Sequence, residues 1–291
     1  MRSSSRLEAF YELAKPNLTK LVVVTGVFGY CLGAVRIGRF DLCNGVLFAL
    51  GTALASAGAC AANMVLERRT DGLMHRTSKR PLPSGRLSVL EASLFTLVTS
   101  SAGFGLLAYG GGLLPAMMSL GTIMVYAFVY TPLKRVGPWA IAVGAVPGAV
   151  PPMMGWTYAT GSIGWEGWIL FALLFAWQMP HFLALAYLYR LDYRRGGFGF
   201  LPSDEQLHRT GLAMALGCQA AVLASIGPVL WGLAGPFYAV GAGLAGGVFC
   251  YLGFRSAMEL HPKSARAVFL GSLAYLPVLL VLILADQLVF L

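Results

Sequence analysis

Asn63, Glu67 and Asp71 recur at every fourth position. On a helix that spacing puts them on one face, climbing about 6 Å per step. Two carboxylates and an amide oxygen in a column suit a hard divalent cation such as Mg²⁺, which takes oxygen ligands and completes its shell with water and phosphate. Arg76, Lys79 and Arg80 follow at once, and such side chains hold phosphate oxygens by charge-assisted hydrogen bonds. Pro81 and Pro83 end any helix close to this point. Acids adjoining bases in this order look like a site for a magnesium-bound diphosphate, with Asn63, Glu67 and Asp71 as metal ligands; the other reading is a charged cytoplasmic loop that only sets topology, for which carboxylates at helical spacing have no use.

The elements that position these groups follow from composition. Of 291 residues 57% are hydrophobic and only 11% charged, against about 25% charged in a soluble domain. Mean hydropathy is +0.71. A large soluble domain, a disordered chain and a nucleic-acid binder are excluded. A spanning helix needs about 20 predominantly apolar residues, and nine stretches qualify, roughly 18–36, 43–64, 89–109, 112–131, 138–158, 165–189, 211–232, 234–254 and 267–290. Continuous apolar runs rule out the alternating segments of a barrel. The fold expected is all-α, one polytopic membrane domain over 1–291, a bundle of nine transmembrane helices around a cavity open to the cytoplasmic side. Residues 1–17 form a cytoplasmic N-terminal segment with no cleavable leader.

Charge sets the orientation. Of the 21 Lys and Arg residues only Arg36 and Arg39 fall on the other side; Lys20 stands at the inner edge of the first span, and the rest precede it or lie in the even-numbered loops. By the positive-inside rule the N-terminus is cytoplasmic and the C-terminus outside, so much of the net charge of +9 is topology. The five cysteines form no C-x-x-C pair and read as small apolar packing residues. His181 is the only histidine well inside a span; an intramembrane ionisable residue is by default a functional candidate, and the other reading is a hydrogen bond to a neighbouring helix. Pro147, Pro151 and Pro152 interrupt the fifth span, leaving carbonyls that either line a cavity or mark a packing kink.

The segment from Asn63 to Asp71 resembles the first acidic motif of the UbiA superfamily of intramembrane prenyltransferases, N-x-x-x-D-x-x-x-D, with Glu67 in place of the commoner Asp. Its continuation from Met74 to Leu82 resembles the protohaem IX farnesyltransferase branch of that superfamily. Lys15-Pro16 is similar to the family's entry to the first span, and Tyr130 to Arg135 to its Y-T-x-x-L-K-R pattern with one residue fewer. Gly144 to Trp156 resembles its fifth segment, and Phe175 to Phe182 its F-x-W-x-x-P-H-F run, followed by Asp192-Tyr193 and Leu201-Pro202. Two positions depart from the branch: Gly199 stands where Pro is usual and Phe200 where Met is usual. A second D-x-x-x-D is absent, since Leu188 and Gly196 flank Asp192 at four residues on either side.

The resemblance implies transfer of a farnesyl group from farnesyl diphosphate to a vinyl group of protohaem IX, with water added, giving haem O. Haem b is then a substrate, not a cofactor. The resemblance also implies Mg²⁺ on Asn63, Glu67 and Asp71, a catalytic role for Asp192, and diphosphate held by Arg76, Lys79, Arg80, Lys134 and Arg135, with Lys15 and Lys20 behind them. His181 would contact haem, and Tyr130, Trp177 or Phe182 would face the prenyl cation. Expected partners are the two substrates and the lipid bilayer, with haem A synthase as a further one, in a bacterial inner membrane. Two other readings stay open: a related prenyltransferase acting on a quinone precursor or chlorophyllide, and a haem or isoprenoid transporter, whose helices are often broken.

Overall fold

The computed structural model describes residues 5–199 and 207–289. Phe200, Leu201 and Pro202 lie outside them. A short helix α1 (Arg6–Leu13) precedes α2 (Pro16–Arg36) and α3 (Leu42–Asp71). Then come α4 (Val89–Gly111), α5 (Leu113–Met124), a π-helical turn (Val125–Tyr130) and α6 (Thr131–Leu133). The chain continues through α7 (Trp139–Thr160), α8 (Gly164–Leu188), α9 (Arg190–Arg195), α10 (Leu207–Ala224), α11 (Gly227–Leu230), α12 (Pro236–Met258) and α13 (Pro262–Val289). There is no strand among the described residues.

Eight helical segments are long and apolar enough to cross a membrane, with α5 to α6 acting as one span and α10 to α11 as another. The protein is a multi-pass membrane protein. The one expected span left over, the fifth, is α7, a helix of 22 residues that falls outside these eight. Its three prolines and its Trp-Thr-Tyr end lower its hydropathy. Leu90, Leu94, Leu97 and Val98 of α4 are all exposed, an apolar surface suited to lipid.

Small residues set the helix contacts, as in other membrane bundles. Where α2 crosses α7, a Cβ on Gly29 would lie 1.9 Å from the Pro152 carbonyl oxygen, and one on Gly155 2.0 Å from that of Gly26. Only hydrogen fits there. α8 packs on α7, α10 and α13, and α13 touches α2.

Three features aim residues at one membrane edge. First, α3 has 30 residues, about 45 Å at 1.5 Å each, so it overruns a hydrocarbon layer of about 30 Å. Its last turns carry Asn63, Glu67 and Asp71. Second, Pro132 lacks an N–H and crowds the preceding turn, and the helix widens into the π turn just before it. Third, Lys15, with φ of 44°, is the one non-glycine residue at positive φ among those described. This sparsely populated conformation costs on the order of 1–3 kcal/mol. It turns the chain sharply from α1 into α2.

Candidate active site

The column on α3 exists as the spacing predicts. Asn63, Glu67 and Asp71 are 1%, 5% and 0% exposed, and each is held by a side chain from elsewhere. Lys134 Nζ donates to Glu67 Oε1 at 2.8 Å. Arg80 Nη1 donates to both oxygens of Asp71 at 2.8 Å. Asn63 Nδ2 donates to Glu67 Oε2 at 2.9 Å and to Thr131 Oγ1 at 3.0 Å, while its Oδ1 accepts from Lys15 Nζ at 2.5 Å. Burial is the main cause that pulls the Lys15 ammonium down to a pKa of about 8, with Arg80 and Lys134 adding to the effect and Glu67 opposing it.

These groups line a polar chamber of about 390 Å³. Four cations, Lys15, Arg76, Arg80 and Lys134, face two carboxylates there, an excess of positive charge suited to a polyanion. The loop after α3 is folded against it, with Thr77 Oγ1 donating to the Asp71 carbonyl at 2.8 Å. Arg86 pairs with Glu12, which fastens α1 to the end of the same loop. Arg76 sits at the mouth, its guanidinium over the rings of Tyr189 and Tyr193 at 4.8 and 5.4 Å.

A second, apolar cavity of about 920 Å³ lies deeper in the bundle, between α2, α3, α5, α7 and α8. Tyr126 and Tyr130 line both cavities, their rings stacked with centroids 5.6 Å apart. Pro147 and Pro151 belong to its wall, so the proline-rich helix borders a cavity. The pair of cavities matches an amphiphile with an anionic head and an apolar tail.

Not every expected residue lies here. Asp192 is not in the chamber lining; its Oδ2 accepts from the Arg76 backbone N–H at 3.4 Å and its Oδ1 lies 3.7 Å from Arg195. Lys79 and Arg135 are exposed outside it. Phe182 lines the apolar cavity, but Trp177 and His181 turn towards α13. Trp177 Nε1 donates to the Ser272 carbonyl at 2.7 Å, and His181 Nδ1 lies 2.8 Å from Ser272 Oγ. That hydroxyl donates its single proton to the Phe269 carbonyl at 2.6 Å, so His181 Nδ1 carries the proton in the shared bond. Nε2 keeps its lone pair and has no hydrogen-bond partner among the described residues.

Sequence reasoning missed Tyr126, Thr131, Thr77 and Tyr193, which complete the chamber or its rim. Tyr126 was findable, because it stands one helical turn before Tyr130. Thr77 and Tyr193 sit on turns and a short helix without a periodic signal.

The oxygen donors on α3 fit a hard divalent cation. No group of three His, Cys, Asp or Glu side chains converges among the described residues, so such an ion would also need diphosphate oxygens and water.

The sequence profile of the UbiA prenyltransferase family matches residues 22–280. The chain belongs to that family. A protoheme IX farnesyltransferase of Solibacter usitatus (strain Ellin6076) is 40% identical over 96% of this chain and 98% of its own. One of Koribacter versatilis (strain Ellin345) is 38% identical over 98% and 94%. Among solved UbiA folds, a digeranylgeranylglyceryl phosphate synthase superposes with TM-score 0.78 at 15% identity, over 97% of this chain and 98% of that one. A UbiA homologue from Archaeoglobus fulgidus bound to DMAPP and Mg²⁺ gives 0.62 at 16% identity, over 97% and 99%.

Proposed function

We propose that this protein transfers the farnesyl group of farnesyl diphosphate to a vinyl group of protohaem IX, with addition of water, giving haem O and diphosphate. The observation that carries this reading is a charged chamber and an apolar cavity that share Tyr126 and Tyr130 in their walls, in a chain whose full-length relatives bear the name protoheme IX farnesyltransferase.

Diphosphate binds in the chamber and the farnesyl tail in the apolar cavity. Asn63, Glu67 and Asp71 would hold Mg²⁺, which would neutralise charge on the diphosphate as it departs. Lys134 and Arg80 exchange their carboxylate partners for phosphate oxygens, and Lys15 and Arg76 add charge from the N-terminal side and the mouth. The C1–O bond of the donor breaks with its electron pair going to diphosphate. The allylic cation left behind lies against the faces of Tyr126 and Tyr130, which stabilise it by cation–π attraction. The vinyl π pair of the porphyrin forms the new bond to C1. Water then adds to the carbon next to the ring and loses a proton.

His181, which lines neither cavity, would meet the acceptor from the α13 side of α8. Its Nδ1–H is committed to Ser272 and its Nε2 lone pair is free for the porphyrin iron, the arrangement that ligating histidines adopt. Asp192 orders the mouth by holding the Arg76 backbone. The basic edge faces the cytoplasm of a bacterial plasma membrane, and haem A synthase is the consumer of the product.

The test is purified protein with protohaem IX, farnesyl diphosphate and Mg²⁺. Mass spectrometry of the porphyrin should find one farnesyl and one hydroxyl added. Unchanged protohaem, with the farnesyl group carried on a quinone precursor instead, would overturn the choice of acceptor.

A further inference from the structure

The apolar cavity has a floor, and three helices define it independently. The last residues that line the cavity at the end away from the chamber are Thr52 on α3, Ser119 on α5 and Met154 on α7. One turn further along those helices stand Phe48, Ala116 and Tyr158. All three belong to one buried cluster with Tyr30 and Leu107. Phe48 and Tyr158 meet edge to face with centroids 5.1 Å apart, and Tyr30 stacks on Phe48 at 6.1 Å.

We infer that the Phe48–Tyr158 pair is the stop that fixes the length of the prenyl chain, an inference that rests on the prenyl-donor reading above. The cavity lining runs along α7 from Gly144 to Met154, about 15 Å at 1.5 Å per residue. An extended chain advances about 1.2 Å per bond, so the dozen or so main-chain carbons of a farnesyl group reach about 14 Å and the sixteen or so of a geranylgeranyl group about 19 Å. The difference is close to one helical turn of about 5.4 Å. One turn is the offset between the lining residues and the aromatic pair. A farnesyl tail therefore ends at Thr52 and Met154, and one more isoprene unit meets the rings of Phe48 and Tyr158.

The test is competition between geranyl, farnesyl and geranylgeranyl diphosphates at equal concentration, with protohaem IX as acceptor and products separated by mass. Phe48→Ala lowers the floor and should raise the geranylgeranyl-to-farnesyl product ratio at least tenfold. Thr52→Phe raises the floor and should move the preference towards geranyl by a similar factor. The two shifts are opposite in sign, which general damage to the fold would not produce. If Phe48→Ala does not accumulate as folded protein, Phe48→Leu and Thr52→Phe carry the comparison. Folded variants that keep the wild-type donor preference overturn the stop. Wild-type protein that prenylates protohaem with none of the three donors overturns the proposed function instead.

Discussion

Glu67 on α3 and Lys134 just after α6 are joined by a 2.8 Å ion pair, with side chains only 6% and 11% exposed. Each side chain thus neutralises the other inside the polar chamber, and under the proposed function both would exchange this partner for the metal-bound diphosphate.

Removing one partner of such a pair strands a buried charge. Lys134→Met should destabilise the protein by about 3 kcal/mol and suppress turnover. The double variant Glu67→Gln with Lys134→Met should regain most of that stability and none of the activity. Thermal unfolding in detergent, read beside product formation, checks both halves. Recovery of activity in the double variant would remove the pair from the chemistry.

Asp71→Asn keeps the shape of the side chain and loses its charge. We expect turnover to fall at least a hundredfold, the scale seen when a transition-state electrostatic contact is lost. EDTA should stop the wild-type reaction and excess Mg²⁺ restore it. Steady-state rates across a chelator titration make the measurement, and undiminished turnover in EDTA would end the metal assignment.

His181→Ala should raise KM for protohaem about tenfold or more and leave KM for farnesyl diphosphate unchanged, with partial rescue by added imidazole. Ser272→Ala removes only the partner of Nδ1, since the backbone carbonyl that takes Trp177 remains. It should weaken acceptor affinity by roughly 10–100-fold, as loss of an outer-shell partner does. The Soret band of bound protohaem reports ligation directly, and an identical band in wild type and His181→Ala would refute it.

Gly155→Val puts carbon into the 2.0 Å approach to the Gly26 carbonyl oxygen. Overpacking of this kind costs about 1–3 kcal/mol, sometimes more, so the folded fraction in size-exclusion chromatography should fall sharply. Gly121→Ala meets nothing within 4 Å and should be neutral or stabilising by about 0.5 kcal/mol.

The carboxylate column was legible because a four-residue spacing becomes one helical face whenever the helix is long enough, and the length of α3 supplies that condition. Span positions were legible for the same reason, since hydropathy reports runs. The α7 helix was the hard case, because proline and glycine, which lower its hydropathy, are what let it border a cavity and approach α2. The π turn before Pro132 and the left-handed Lys15 were not legible. Pro132 announces a disturbed turn but not its π form, and nothing about a lysine announces the left-handed backbone of Lys15. The side to which His181 turns was equally hidden: Gln178 and Phe182 face the cavity while Trp177 and His181, one position earlier on the same helix, face α13.

Beyond the aromatic layer of Phe48 and Tyr158 lies another pocket, of about 630 Å³, lined by Tyr30, Tyr158, Arg39, Asp41 and Asn44 at the opposite end of the bundle. Chamber, cavity and pocket together reach most of the way through the protein. The packed cluster around those rings then separates the polar pocket from the cavity and the chamber. A membrane potential stores about 2.3 kcal/mol per elementary charge for each 100 mV, and a continuous wet path would let protons spend it. The packed rings of Tyr30, Phe48 and Tyr158 interrupt such a path.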